Sequence, residues 1–415
     1  MREMKDSGIE WIGEIANTHK LVRLKYVAEI LDEYRKPVTA QYRNQNADIL
    51  YDYYGASGII DKIDGYTIDD HVMLIGEDGA NLKLRNLPLM YEVCGKAWIN
   101  NHAHILKPMK NMDFYYLFYA LEALDINNYI TGSAQPKLNQ ENLKEILIPL
   151  PSYEVQKKVS SYLDTKCSEI DATAEDIQKE VTLLEDYKKS LVYNVISNGI
   201  NHSIYSTESD EVWGNLPQGW KLVDIKYLFE IVKRIAGKEG YDVLSVTQKG
   251  LKIKDITSGD GQLADNYCGY QFVYPTDYVM NHMDLLTGWV DCSELFGVTS
   301  PDYRVFRLID RSAHNLVYYK YVMQCCYMNK IFYSLGQGVS NLGRWRLQTS
   351  SFNNFKIPVP PKDEQDEIAD YLDTKCSEID SLIADKKRQL DILADYKKSL
   401  IYEYVTGKKE VPVNE

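Results

Sequence analysis

Few residues in this 415-residue chain have the type and spacing for chemistry. His102 and His104 stand two apart in NNHAH. On a strand they would share a face and could offer two imidazoles to a metal ion. No third ligand accompanies them, so ordinary strand histidines are the expected reading. GASG at Gly55–Gly58 lacks the spacing of a GxSxG nucleophile turn and reads as a flexible turn. There is no GxxxxGK[ST] phosphate loop and no GxGxxG fingerprint. The seven cysteines include no CxxC pair, and Cys325 and Cys326 are adjacent. That usage predicts free thiols in a reducing cytosol, not a disulfide frame or a zinc site. Hydrogen-bonding groups do gather in two glycine-bearing loops, TGSAQPKLN (Thr131–Asn139) and GQGVSNLGRWRLQT (Gly336–Thr349). Ser133, Gln135, Lys137, Asn341, Arg344 and Arg346 are the side-chain types that read base edges or hold phosphates. Composition alone favours the plainer alternative, solvated loops leading into the next element.

Both loops lead into a repeat. YLDTKCSEID occupies Tyr162–Asp171 and again Tyr371–Asp380. At the same offset IPLP (Ile148–Pro151) answers IPVP (Ile357–Pro360), Gln156 answers Gln365, and DYKKSL (Asp186–Leu191) recurs at Asp395–Leu400. Upstream, KLVRLKYVAEI (Lys20–Ile30) answers KLVDIKYLFEI (Lys221–Ile231), with Trp11 and Trp213 before them. The period is far above that of a solenoid, so the chain is a duplicated two-part unit. Prolines precede each repeated segment, Ser152 is a candidate N-cap, Asp363 and Glu364 put acid in a first turn, and Gly199 and Gly407 follow the ends. No Pro or Gly interrupts 152–196 or 362–405.

Apolar residues in these segments alternate four and three apart: Leu163, Ile170, Ile177, Leu184 and Leu191 in the first, Leu372, Ile379, Leu390, Leu393 and Leu400 in the second. Cys167 and Cys376 share one repeat position and read as small core residues, while Lys188 and Lys397 interrupt the stripe. A narrow stripe over several heptads predicts a coiled coil, and about 45 unbroken residues make a rod of about 65–70 Å. The short polar connector requires the second rod to run back along the first. The expected organisation is a globular domain 1–151, a repeat helix 152–196, a connector 197–212, a globular domain 213–361, a second repeat helix 362–405 and a flexible tail 406–415, forming a pseudo-twofold dumbbell. Within the globular parts, His71–Gly79 and Ala97–Leu106 read as strands with tight turns, and Met112–Leu124 and Asn315–Met328 as helices. The fold class is therefore two mixed α/β (α+β) domains separated by two long antiparallel helices.

The formal net charge of -13 argues on its face against nucleic acid. It is unevenly spread: Lys and Arg against Asp and Glu number 16 and 16 over 197–360, but 6 and 9 over 152–196. No stretch is long and apolar enough to span a bilayer, and the charged start has no signal-peptide core, so a cytoplasmic protein is expected. Tyrosine, at 33 residues, is abundant and can stack and hydrogen-bond without charge.

Two variable halves, each followed by a near-identical long helix introduced by IPLP or IPVP, resemble the specificity subunit of type I restriction–modification systems. The motifs that carry the resemblance are YYGASGIIDKIDGY (Tyr53–Tyr66), LIGEDGANL (Leu74–Leu82), NNHAHILKP (Asn100–Pro108) and TGSAQPKLNQENL (Thr131–Leu143) in the first half. In the second they are GVTSPDYRVF (Gly297–Phe306) and the Gly336–Thr349 loop. The resemblance covers nearly the whole chain and adds Tyr54 and Ser57 to the candidate DNA contacts. It implies a protein with no chemistry of its own, in which each target-recognition domain reads one half of a bipartite double-stranded DNA site. The helices would set the spacing and dock two methyltransferase subunits. Cofactors are expected only on partners: S-adenosylmethionine on the methyltransferases, ATP and Mg on the restriction/translocase subunits. Such a complex methylates DNA and defends against phage. Two other readings remain open at this stage. A recognition–methyltransferase enzyme needs a cofactor pocket that no motif supplies, and a coiled-coil adaptor with two protein-binding heads predicts no sequence-selective DNA footprint.

Overall fold

The computed structural model describes residues 3–43, 49–132, 135–201, 204–256, 264, 266–338 and 345–412. The chain divides into two compact units: Met1–Ile177 with Arg388–Glu415, and Gln178–Lys387.

The first unit is built on a six-stranded sheet of β1 (Ala28–Ile30), β2 (Tyr51–Gly55), β3 (Gly58–Ile63), β4 (Ile68–Gly76), β5 (Met90–Ile99) and β6 (Ala103–Pro108). Their order is β1-β6-β4-β5-β2-β3, with β2 and β5 parallel and every other pair antiparallel. Along β4 the side chains alternate between two cores, as a period of two requires. Val72 and Leu74 join Leu31, Val93, Ile99 and Ile105 on one face. Met73 and Ile75 join Tyr116, Leu117 and Leu121 on the other. Those last three belong to α1 (Phe114–Ala123), whose N-cap Asp113 accepts from the Tyr116 amide. The second unit carries a smaller antiparallel sheet of β7 (Phe229–Val232), β8 (Tyr278–Met280), β9 (Val290–Cys292) and β10 (Arg304–Leu308), ordered β7-β10-β8-β9. Two separate two-stranded pieces, Gln271–Val273 with Gly297–Thr299 and Leu244–Thr247 with Gly250–Ile253, accompany it. Helix α3 (Leu316–Met328) buries Tyr318, Tyr319, Val322, Met323, Cys325 and Cys326 in a core with Phe229, Tyr278 and Phe306. All seven cysteines are free thiols.

The repeated segments form two unbroken helices, α2 (Tyr153–Asn198) and α4 (Lys362–Val405). Each stops where a glycine enters the left-handed region, Gly199 at φ 70 and Gly407 at φ 73. The Ser152 carbonyl accepts from the Val155 and Gln156 amides, starting the first helix. Within each unit the segments of α2 and α4 pair antiparallel. In the first unit Tyr162 packs on Tyr404 (ring centroids 4.7 Å) and Lys397 binds Asp171 at 2.6 Å. In the second, Lys188 binds Asp380 at 2.7 Å, Lys386 binds Glu180 at 2.5 Å, and Val181 packs with Ile379 and Ile383. Leu163, Ile170 and Leu400 lie in the core of the first unit, with Leu393 packed against it. Leu372 lies in the core of the second, Ile379 in the smaller cluster, and Leu184 and Leu191 against that cluster. Ile177 and Leu390 are half-buried.

The ten-residue repeat has a physical reason in each unit. Its Asp164 accepts from Tyr119 Oη at 2.7 Å, and Asp373 from Tyr321 Oη at 2.7 Å. The repeat's last residue is the ion-pair partner already named, Asp171 or Asp380, so the lysines that break the apolar stripe are cross-helix partners. Upstream of it, buried Gln156 accepts from the Asp113 amide at 2.9 Å and donates to the Pro151 carbonyl at 3.0 Å; Gln365 does the same with Asn315 and Pro360 at 2.9 Å each. Tyr116 and Tyr318 donate to the carbonyls of Pro149 and Pro358. The paired strands 20–23 with 147–150, and 221–224 with 356–359, close each frame.

Candidate nucleic-acid interface

The TGSAQPKLN loop leaves and re-enters its unit through a tight backbone pinch. Thr131 and Lys137 exchange both amide–carbonyl bonds at 2.8 Å, the Leu138 amide binds the Glu77 carbonyl at 2.8 Å, and the Gly79 amide binds that of Pro136 at 3.2 Å. Gly132 has φ 80, and a Cβ there would stand 2.4 Å from the Gln135 carbonyl oxygen, so only glycine fits this turn. The loop is thereby fixed to the residues that follow β4.

A nearly buried polar network underlies the pinch. His104 on β6 is hydrogen-bonded through Nδ1 with Asp32 at 2.7 Å and through Nε2 with the Leu138 carbonyl at 2.8 Å. Asp32 also accepts from the Ile105 amide and from Gln140, and pairs with Arg35 at 3.2 Å. Arg35 reaches Glu77 at 2.5 Å, and Lys137 reaches the same carboxylate at 3.0 Å. Burial works to raise the Asp32 carboxyl, but the His104 hydrogen bond and charge, the Ile105 amide and Arg35 outweigh it and hold it below the usual range. Glu77 is likewise depressed: burial is outweighed by hydrogen bonds from Arg35 and Lys137 and by nearby positive charge. Two carboxylates thus face an arginine, a lysine and a histidine, so the cations at the base of this loop are paired with acids.

The second loop is pinched in the same manner and charged differently. Gln337 and Arg346 exchange backbone bonds at 3.0 and 3.1 Å, the Leu347 amide binds the His282 carbonyl at 3.0 Å, and the Leu285 amide binds that of Trp345 at 3.2 Å. Lys137–Leu138 and Arg346–Leu347 fall at the repeat offset, so the two pinches are equivalent places. Behind Arg346, Arg304 is 4% exposed. It donates to the Leu347 carbonyl at 3.1 Å and to Thr349 at 3.4 Å, and lies 4.5 Å from the Phe352 ring centroid. Burial lowers it to about 10, with the Arg346 charge acting the same way against Tyr327, and it stays protonated at neutral pH. His282 is buried and pushed down to about 3 by burial and then by the Arg304 and Arg346 charges; its Nδ1 has no hydrogen-bond partner.

Among the candidates read from the sequence, Gln135 and Lys137 are exposed at the first pinch and Arg346 at the second. Ser57 is exposed at the β2–β3 turn. Tyr54 is 9% exposed in the apolar cluster of the first sheet. Ser133, Asn341 and Arg344 lie outside the described residues. His102 sits in the turn before β6 bound to Asp78 at 2.7 Å, so it does not share a strand face with His104. Among the described residues no cluster of His, Cys, Asp and Glu could hold a metal ion. Sequence reasoning missed Asp32, Arg35, Glu77, His282 and Arg304; the Asp32–His104 pair joins residues 72 apart, and no local pattern marks it.

Comparison with known proteins accords with this organisation. A Haemophilus influenzae protein named as a type I restriction enzyme specificity subunit is 33% identical over 141 residues, 34% of this chain and 35% of that protein, so this match spans about a third of its length. The type I restriction enzyme MjaVIII specificity subunit of Methanocaldococcus jannaschii is 25% identical over 342 residues, 76% of each chain. A chain solved in work on complex assembly and conformational transition of the type I R-M system shares the fold at a TM-score of 0.65 and 13% identity, covering 95% of this chain and 99% of that one. The family model for the type I restriction modification DNA specificity domain matches twice, over residues 17–183 and 217–391. With two copies of that domain spanning most of its length, the chain belongs to the type I restriction–modification specificity subunit family.

Proposed function

We propose that each unit reads one half of a bipartite double-stranded DNA target through its pinched loop, and that the chain is the non-catalytic, cytoplasmic specificity component of a methyltransferase complex. The observation that carries this reading is the contrast inside the repeat. Contacts of the repeated segments recur at a fixed offset, from Gln156/Gln365 to Asp171/Asp380, while the charged groups beneath the two loops differ. A protein that must present two different readers on one mounting needs that division. Ser57, Ser133, Gln135 and Lys137 in the first unit, and Asn341, Arg344 and Arg346 in the second, are the proposed DNA contacts. Tyr54 would act by shaping the sheet beneath them, given its burial.

The long helices are proposed to set the spacing between half-sites and to dock two methyltransferase subunits. Leu183 and Tyr187 on α2 are 68% and 56% exposed; Ile392 and Tyr396, at the same repeat positions on α4, are 61% and 54% exposed. Large apolar side chains one turn apart, shown twice, suit two copies of one partner. S-adenosylmethionine, ATP and Mg would belong to the methyltransferase and restriction/translocase subunits. Methylome sequencing of cells expressing this chain with its methyltransferase tests the proposal. A modified motif of two specific half-sites separated by unspecified bases is expected, and a continuous motif or no motif would refute it.

A further inference from the structure

The two pinches hold equivalent backbone positions but different electrostatic arrangements, and this difference assigns them different work on DNA. At the first, Lys137 is tied to Glu77 and the surrounding cations are answered by Asp32 and Glu77. At the second, Arg346 is exposed and neither it nor Arg304 has a carboxylate partner among the described residues. The segment 339–344, VSNLGR, contains no acid. Asp284, in the adjoining turn, accepts from the Leu286 and Thr287 amides at 3.0 Å each. A cation buried without a counter-charge is a standing cost to the fold. Its guanidinium is kept in place by the Leu347 carbonyl, Thr349 and the Phe352 ring, and His282 behind it carries an unpartnered nitrogen. The Arg346 backbone is held from both sides by Gln337, and the neighbouring Trp345 ring packs over Gly338, so the exposed guanidinium projects from a rigid base. Such a base holds two cations that pair with no carboxylate among the described residues, a local concentration of positive charge.

We propose that Arg346 receives a backbone phosphate of bound DNA, with Arg304 as a positioning residue behind it, whereas Lys137 closes its own loop and neutralises no phosphate. This rests on the DNA-reading function above. It predicts an asymmetry that recognition by itself does not require: the second pinch neutralises a phosphate and the first does not.

The test is the salt dependence of binding, measured on the assembled complex of this chain with its methyltransferase subunits and a duplex carrying the methylated motif found in cells. Each phosphate neutralised adds about 0.9 to the slope of log K against log salt. Arg346→Ala is expected to reduce that slope by about one contact, Arg346→Lys to restore it, and Lys137→Ala to leave it unchanged even if affinity falls. An unchanged slope for Arg346→Ala, or an equal loss for Lys137→Ala, would overturn the inference while leaving DNA reading intact. A wild-type complex that fails to prefer its motif over a scrambled duplex would overturn both.

Discussion

Beneath the first loop, Asp32 and Glu77 share His104, Arg35 and Lys137; beneath the second, Arg304 and His282 stand behind Arg346 with no ion-paired carboxylate among the described residues. Both arrangements secure the same backbone feature, a two-bond pinch whose following leucine is held from inside the unit: the Leu138 carbonyl by His104, and the Leu347 carbonyl by Arg304. The pinch is therefore part of the shared mounting, and the side chains that stabilise it are free to differ. Elsewhere in the two units the mounting is repeated down to individual atoms, with Gln, Tyr and Asp bound to matching partners. Duplication has been kept where the contacts seat a domain and lost where they set the charge facing outward.

The largest expected effect follows from breaking the ion-paired network. Asp32→Ala removes the partner of His104, Arg35 and Gln140 together, and breaking a nearly buried charge network in this way costs about 3–5 kcal/mol. Hydrogen exchange resolved by residue should show the loss in the first unit and leave the second unit's amides unaffected. Equal loss in both would mean that the two networks are not independent.

Acid should separate the units next. His282 sits at about 3 against an ordinary 6.5, so between these values the unfolded chain binds the proton and the folded one does not. Its contribution is complete above pH 6.5 and is lost as pH falls towards 3, at no more than about 1.4 kcal/mol per pH unit. Asp32 and Glu77 are depressed below 3.8 and 4.5, so their contribution is complete above those values and is lost only at lower pH. The second unit should therefore begin to weaken at a higher pH than the first, and His282→Gln should flatten its response between pH 6.5 and 4.5. A steep response that survives this substitution would assign the effect to other groups.

The smallest effect probes what the units share. Lys188→Ala and Lys397→Ala remove equivalent, solvent-exposed ion pairs, and each should cost about 0.2–1 kcal/mol in its own unit by chemical denaturation. The two values should agree; a marked difference would show that the repeated helices are not mechanically equivalent.

The frame was largely legible in the sequence. Prolines before each repeat, glycines after it, and the lack of either within it predict the two long helices, and short apolar and aromatic runs bounded by turn residues in His71–Gly79 and Ala97–Leu106 predict β4, β5 and β6. Local pattern suffices where backbone preference and apolar periodicity agree. The charged loop bases were not legible, because their members come from segments far apart in the sequence: Asp32, Glu77 and Lys137 in one unit, His282, Arg304 and Arg346 in the other. The lysines that interrupt the apolar stripe have no local explanation for the same reason, since their partners are on the other helix. Of the residues chosen from the loops, Lys137 and Arg346 fall at equivalent pinches, which the offset of the repeat already implied.

The central claim, that two independent readers share one mounting, is tested most directly by exchanging residues 1–151 for the corresponding segment of a relative with a different target and sequencing the resulting methylome. The account predicts a hybrid motif in which one half-site is replaced while the other half-site and the number of bases between them stay the same. A change in both halves, or in the spacing, would contradict it.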